Sequence, residues 1–346
     1  VYANTALEEA TAIGYPSGQQ YALVVVGVGY YLQGEYPVSL NHLRRSLQMH
    51  TDKKFTEEIY CRNLIGNIYQ RTGRYDSALL YYDEVLKMPG LDNNNRSMAY
   101  RGLASVYLAR WENEKVERLL QIVDSIDQRQ STNLQSLYLH GKLYENLLDY
   151  SKAQDYFSKL CALARGVDNY YTTQCMLSQA ALFYQRGDFS RALQEALAIL
   201  NNPASRLYQP LRASIYITMA DVYVEYAQYD FAVKYYLEAL KITERINLRN
   251  QTADIYSSLA WVSKDQYNFK QAHDYIDKSE QLRVEMGDNH GLSNAHNIRG
   301  LIFLTEKKYD RAAAELNRAI NIRKQINHQR GISASVYNLS LVYEAK

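Results

Sequence analysis

Small and aromatic residues recur along this chain at helical spacing, and the pattern restarts about every 40 residues. A small residue marks each restart: Gly27, Gly66, Ala104, Gly141, Ala180, Ala220, Ala260, Gly300 and Ser340, with steps of 39, 38, 37, 39, 40, 40, 40 and 40. Three positions after these anchors come Tyr30, Tyr69, Tyr107, Tyr144, Phe183, Tyr223, Ser263, Phe303 and Tyr343. Nine after the first eight come Tyr36, Tyr75, Asn113, Tyr150, Phe189, Tyr229, Phe269 and Tyr309, and twelve after come Ser39, Ala78, Val116, Ala153, Ala192, Ala232, Ala272 and Ala312. Positions three or four apart share a helix face, so a small anchor lets a neighbouring helix approach while the aromatic fills the space above it. Gly-containing stretches such as Thr72-Gly73-Arg74 and Arg186-Gly187-Asp188 interrupt the helical spacing between the two aromatic columns. The spacing therefore predicts a helix hairpin in each unit: a first helix ending just past the first aromatic column, a tight turn, and a second helix opening just after the next aromatic. A lone hairpin cannot bury its apolar face, whereas a stack of hairpins can.

Small residue, Tyr, aromatic, Ala, aromatic at these offsets resembles the tetratricopeptide repeat (TPR), over essentially the whole chain. The usual unit has about 34 residues; the longer period resembles the long-repeat subclass of bacterial regulators and polarity adaptor proteins. The extra residues fall between units, as at 243–250, 286–291 and 326–331. The resemblance implies an all-α fold, a right-handed α-solenoid (TPR superhelix) of eight units plus a half-unit at each end, as one solenoid over residues 1–346. Ala3, Leu7, Ala10 and Ile13 repeat the spacing of Ala312, Leu316, Ala319 and Ile322, which makes 3–13 the second helix of an earlier unit and 334–346 the first helix of a later one. Unit three, with Asn113 and Val116 in the aromatic and Ala columns, is the most degenerate. Neither end carries a polar cap, so we expect a segment of a longer protein, with uncapped ends open to homo-oligomer contacts.

Composition narrows the function. Lys+Arg number 39 against 37 Asp+Glu, a formal charge of +2, which lacks the basic footprint of a nucleic-acid binder or a membrane-surface patch. The longest apolar run, around 22–28, falls far short of the roughly 20 residues of a membrane span. The chain has 33 Tyr against 7 Phe, an aromatic supply that carries hydroxyls. Phosphate-loop, dinucleotide-loop, zinc-protease and nucleophile-elbow motifs are missing, so neither catalysis nor a cofactor is expected. The histidines His42, His50, His140, His273, His290, His296 and His328 are dispersed, and His290 with His296 has the wrong spacing for one helix face, so no metal site is expected. Cys61, Cys161 and Cys175 read as small core hydrophobes; Cys161 and Cys175 end one hairpin and open the next, and are expected as two neighbouring buried thiols. Tyr170-Tyr171 between them is expected to staple that loop. The compartment, cytoplasmic or periplasmic, stays open.

In TPR arrays the first helices line a concave groove through the positions three before, one after and four after the anchor. Carried onto this chain, unit one offers Val24, Val28 and Tyr31; units two to four offer the polar, mildly basic set Asn63, Asn67, Gln70, Arg101, Ser105, Tyr138 and Lys142; units six and seven offer Asp221, Val224, Asp254, Ser257, Trp261 and Lys264, which lean acidic. We expect Asn63, Asn67, Arg101, Tyr138 and Lys142 to form a recognition strip for an acidic or carboxylate-bearing extended segment, with Arg101 and Lys142 lacking acidic neighbours. The chaperone-type carboxylate clamp is not completed, because Gly102 occupies the required slot. The resemblance thus implies a non-catalytic protein- or peptide-binding module, the sensory or regulatory part of a larger bacterial signalling protein such as a sensor histidine kinase or transcriptional regulator. Alternatives are a free-standing adaptor or assembly scaffold, and a small-ligand sensor whose groove is lined by Tyr21, Tyr31, Tyr60 and Tyr138.

Overall fold

A computed structural model describes residues 2–49, 56–127, 133–202 and 208–346; His50 lies outside them. Among the described residues there are eighteen helices and no strand. They are α1 (Tyr2–Ala12), α2 (Pro16–Gln33), α3 (Tyr36–Gln48), α4 (Thr56–Arg71), α5 (Tyr75–Leu86), α6 (Asn93–Ala109), α7 (Asn113–Ile126), α8 (Leu134–Asn146), α9 (Tyr150–Ala164), α10 (Asn169–Gln185), α11 (Phe189–Asn201), α12 (Gln209–Glu225), α13 (Tyr229–Arg245), α14 (Arg249–Asp265), α15 (Phe269–Met286), α16 (Asn289–Thr305), α17 (Tyr309–Gln325) and α18 (Gln329–Ala345). The chain forms two compact units, Val1–Ile215 and Tyr216–Lys346, and the division falls inside α12.

The turn inside every hairpin is made by one device. The residue seven after the anchor takes a left-handed conformation: Gly34, Gly73, Trp111, Leu148, Gly187, Ala227, Tyr267 and Lys307, with φ between 54 and 84°. The next N–H donates back to the carbonyl of the first aromatic column, from Glu35 to Tyr30 and from Arg74 to Tyr69 through to Lys308 to Phe303, at 2.8–2.9 Å. This is the bond that satisfies an orphan carbonyl at a helix C-terminus. Glycine adopts the conformation without a Cβ penalty; five hairpins use other residues, so glycine alone understates the signal. The degenerate unit three has the same turn, with Trp111 at φ 60° and Glu112 bonded to Tyr107 at 2.9 Å. Each second helix begins at the second aromatic column itself, one position earlier than its sequence spacing suggests.

The small-residue columns lie in the core. Every member of the column twelve after the anchor is fully buried, including Val116 and Ser39. Ser39 is tolerated because its Oγ donates to the Gly27 carbonyl at 2.6 Å. Facing each anchor across the hairpin is the residue sixteen later: Leu43, Tyr82, Leu120, Phe157, Ala196, Tyr236, Ile276 and Leu316, all at most 2% exposed. A Cβ added at Gly66 would sit 2.7 Å from the Tyr82 ring, and one at Gly141 2.3 Å from the Phe157 ring. The anchors are small because this opposite side chain occupies their volume.

The structure corrects the reading of two cysteines. Cys161 and Cys175 form a disulfide, with Cα atoms 5.4 Å apart, that ties the end of α9 to α10; they are not a pair of free thiols. Cys61 is buried outside any disulfide, and its Sγ donates to the Ser46 Oγ at 3.7 Å. The spacing of 14 residues places the two sulfurs on facing helices of successive hairpins, and only the packing angle between those helices brings the Cα atoms within bridging distance.

Candidate binding groove

The first helices of the Val1–Ile215 unit surround a cavity of about 700 Å³. Its wall includes Val28 and Tyr31 from α2, Tyr60, Asn63, Asn67, Gln70 and Arg71 from α4, Arg101 and Ser105 from α6, Tyr138 from α8, and Asp168, Tyr170, Tyr171 and Gln174 around the start of α10. Four of the five residues expected to form a strip meet here, and each is partly committed. Asn63 is buried, its Nδ2 donates to the Ile59 carbonyl at 3.1 Å, and its Oδ1 has no hydrogen-bond partner among the described residues. Asn67 Oδ1 accepts from the Tyr82 hydroxyl at 2.6 Å. Tyr138 packs against Phe157 with ring centroids 6.4 Å apart.

The two cations depart from expectation. Arg101 is not unpaired: it is buried and donates to Asp127 at 3.0 Å, an acid 26 residues downstream that also accepts from Ser97 at 2.7 Å. Lys142 is not in the cavity wall and is not unpaired either; its Nζ meets Glu145 at 2.6 Å, and the same carboxylate accepts from Gln185 at 2.8 Å. Burial works against the Lys142 charge, and Glu145 outweighs it, holding the amine above its usual range. Of the tyrosines considered for a small-ligand site, Tyr31, Tyr60 and Tyr138 line the cavity; Tyr21 is 61% exposed and does not.

The most unusual group in the cavity is one that sequence reasoning passed over. Arg71, at the C-terminus of α4, donates from Nε to the Tyr31 hydroxyl at 2.9 Å and from Nη2 to the Tyr170 hydroxyl at 2.7 Å. Tyr170 lies 99 residues away in sequence, so this bridge joins α2, α4 and α10 across the cavity. No carboxylate forms an ion pair with Arg71 among the described residues. Burial opposes the guanidinium charge, but the surrounding tyrosine oxygens, Tyr170 foremost, outweigh it and raise its pKa well above the usual value. Burial likewise raises the pKa values of Tyr31, Tyr36, Tyr138 and Tyr171, so these phenols are neutral at physiological pH. Arg71 escaped notice because it lies five after its anchor, outside the family's groove positions. Tyr170 and Tyr171 lie in the first turn of α10 and not in a loop; the Tyr170 ring packs edge-on against Tyr171 and Tyr208 at 5.2 and 5.3 Å, and its hydroxyl reaches the cavity.

A second, smaller hollow of about 310 Å³ lies in the Tyr216–Lys346 unit, lined by Asp254, Ser257, Trp261, Arg283, Asn294 and Asn297. Its acidic lean is neutralised: Asp254 pairs with Arg283 and Lys264 with Asp265. Burial raises Asp221 to about 6, against the hydrogen bond from Tyr236, which lowers it. Among the histidines, His296 pairs with Glu315 at 2.8 Å and His290 lies against His328, not against His296. The described residues hold no cluster of three metal-ligating side chains, and none of their helices is long and apolar enough to cross a membrane.

Two family profiles described as tetratricopeptide repeat match residues 59–88 and 134–166, which are the α4/α5 and α8/α9 hairpins. These two hairpins are tetratricopeptide repeats. In sequence, the TPR chain is 21% identical over 245 residues to anaphase-promoting complex subunit 3 of Schizosaccharomyces pombe, a match covering 66% of this chain and 33% of that protein. It therefore spans about a third of the relative's length. In structure it resembles a Rap protein complexed with competence and sporulation factor, at TM-score 0.60 and 12% identity, over 96% of this chain and 98% of that one. It also resembles NprR in complex with its cognate peptide NprX, at TM-score 0.61 and 15% identity, over 97 and 98%. At these identities the likeness is one of fold; the first helices of the two matched hairpins, α4 and α8, contribute to the cavity wall.

Proposed function

We propose that this TPR chain is a non-catalytic interaction module that takes an extended peptide segment in the cavity of its first unit. The supporting observation is the wall itself: amide side chains from Asn63, Asn67, Gln70 and Gln174 face about 700 Å³ of space between aromatic rings. Amides satisfy a peptide backbone and rings cover its side chains, which is how an extended ligand is held in register. Two structural relatives of the same fold are named as complexes with a peptide or factor, which is consistent with this use of the fold. We further place the chain in the sensory or regulatory part of a larger bacterial signalling protein, on the strength of its long repeat period.

The test is retention of a pooled octapeptide library on the immobilised full chain, with bound members identified by mass spectrometry. A defined set should be enriched, and Gln70→Ala with Gln174→Ala should lower its retention at least tenfold while the helical circular dichroism is unchanged. Retention that the double variant leaves intact would place the interaction surface outside this cavity.

A further inference from the structure

Arg71 is an arginine whose side-chain partners are both neutral. Its two bonds, to Tyr31 and Tyr170, engage two of the five N–H donors of the guanidinium. Another arginine without an acid, Arg323, differs in two ways: it is 4% exposed and not among the lining residues of either hollow, and four of its five N–H donors are taken by Ser293, Asn294, Ser335 and the Gly331 carbonyl. Arg71 faces open volume. The acid in the same cavity wall is engaged elsewhere: Asp168 caps α10 by accepting from the Tyr171 N–H at 2.9 Å.

A guanidinium bonds a carboxylate through two parallel charge-assisted bonds, roughly twice as strong as bonds to neutral acceptors. Taking a cation out of water without a counter-charge is unfavourable, and an incoming anion removes that cost. The Tyr170 hydroxyl is the partner that can yield. Its ring packs edge-on against Tyr171 and Tyr208, while the Cys161–Cys175 disulfide fixes the base of α10, so release of the hydroxyl is a side-chain rotation and not a helix movement.

We propose that Arg71 is a carboxylate receptor closed by a tyrosine latch: a carboxylate of the bound segment takes the guanidinium edge now held by the Tyr170 hydroxyl and breaks the bridge between α4 and α10. This rests on the peptide reading above and adds the group that anchors the peptide. The carboxylate comes from a chain terminus or from an Asp or Glu side chain, and the chemistry at Arg71 is the same for both.

The probes are three octapeptide pools on the immobilised full chain: free C-terminus without Asp or Glu, amidated C-terminus with Asp and Glu, and amidated C-terminus without either. One of the first two pools should be retained at least tenfold more than the third, and which one identifies the source. R71M should abolish that preference. R71K, which keeps the charge without the fork, should weaken it several-fold, and it decides the matter if R71M does not fold. Y170F, which removes the competing hydroxyl, should bind the preferred pool several-fold more tightly; weaker binding would overturn the latch. Equal retention of all three pools, unchanged in R71K and R71M, would overturn the receptor and leave peptide binding standing. Retention of no pool would overturn the peptide reading and the receptor with it.

Discussion

Arg71 in the first unit and Arg283 in the second both project beside a hollow, and they are held in opposite ways. Arg283 is 4% exposed and surrounded by charge: it pairs with Asp288 at 2.6 Å and with Asp254, and it also donates to Asn250. Among the described residues, the side-chain hydrogen bonds of Arg71 go to phenol oxygens. Burial opposes the charge of Arg283, and the carboxylates of Asp254 and Asp288 outweigh it. A cation with its counter-charges already in place is a fastening between helices. A cation with neutral partners beside open volume is available to a ligand. The hollow of the second unit has its charges matched within the protein, whereas the cavity of the first keeps a guanidinium whose hydrogen-bond partners are phenols.

The largest effect that tests this contrast is on stability. R283M strands the buried Asp288 carboxylate and should destabilise the second unit by about 3 kcal/mol or more, whereas R71M strands only neutral hydroxyls and should cost less than about 1 kcal/mol. Urea unfolding, with hydrogen exchange to assign the loss to α15 and α16, reads both. Equal losses would erase the distinction between the two arginines.

Covalent bracing also separates the units. Reducing the Cys161–Cys175 bridge, or replacing Cys161 by Ser, removes a loop closure of 14 residues and should cost the first unit about 3 kcal/mol. Amides of α9 and α10 should lose protection while those of α14 to α17 keep theirs. Loss spread evenly over the chain would contradict a local brace.

Packing inside the hairpins should, by contrast, be alike in the two units. Gly66→Leu in the first and Ala220→Leu in the second push against Tyr82 and Tyr236 and should each cost about 1–3 kcal/mol in thermal melts. A variant that melts like its parent would show that its anchor does not sit at the crossing.

The smallest expected effect belongs to the second unit alone. Asp221 has a folded-state pKa of about 6, above the ordinary value of about 3.9. The folded state therefore binds the proton more tightly than the unfolded state, so this group's contribution favours folding at low pH and is lost as pH rises from about 4 through about 6. Asp221 is partly exposed, and solvent screening reduces the effect to about 1 kcal/mol. Comparing unfolding midpoints at pH 4.5 and pH 7 for the parent and Asp221→Asn reads it: the variant should lack that share of the pH dependence. A parent and variant with identical pH profiles would show that Asp221 titrates normally.

How much was legible follows sequence distance. The anchors, the Ala column and the hairpin pairing were readable because each contact lies within about one unit: Gly66 meets Tyr82, sixteen positions on, through a crossing that repeats in every unit. Val116 substitutes for Ala in a fully buried place without altering the turn at Trp111, because that turn is set by backbone bonding. The groove set was legible in part. Asn63, Asn67, Arg101 and Tyr138 share the cavity as the family's groove positions imply, but their chemistry was not readable. Arg101 and Lys142 were expected to lack acids because none stands beside them on the same strip. Asp127 arrives from the end of α7, and Glu145 from the next turn of α8.

By itself, the sequence determined the all-α class, the unit length, the place of each hairpin and which small residues meet at the crossings. These are nearest-neighbour properties, and a periodic pattern of side-chain sizes is enough to specify them. Only the tertiary structure decided that Cys161 and Cys175 are bridged, that Asp127 meets Arg101, and that Arg71 meets Tyr170, whereas Glu145, which pairs with Lys142, stands three residues on in the same helix. Each of those tertiary contacts depends on the accumulated rotation from one hairpin to the next or on where a helix end comes to rest. A fraction of a turn there separates a bond from empty space, and no column in the sequence records it.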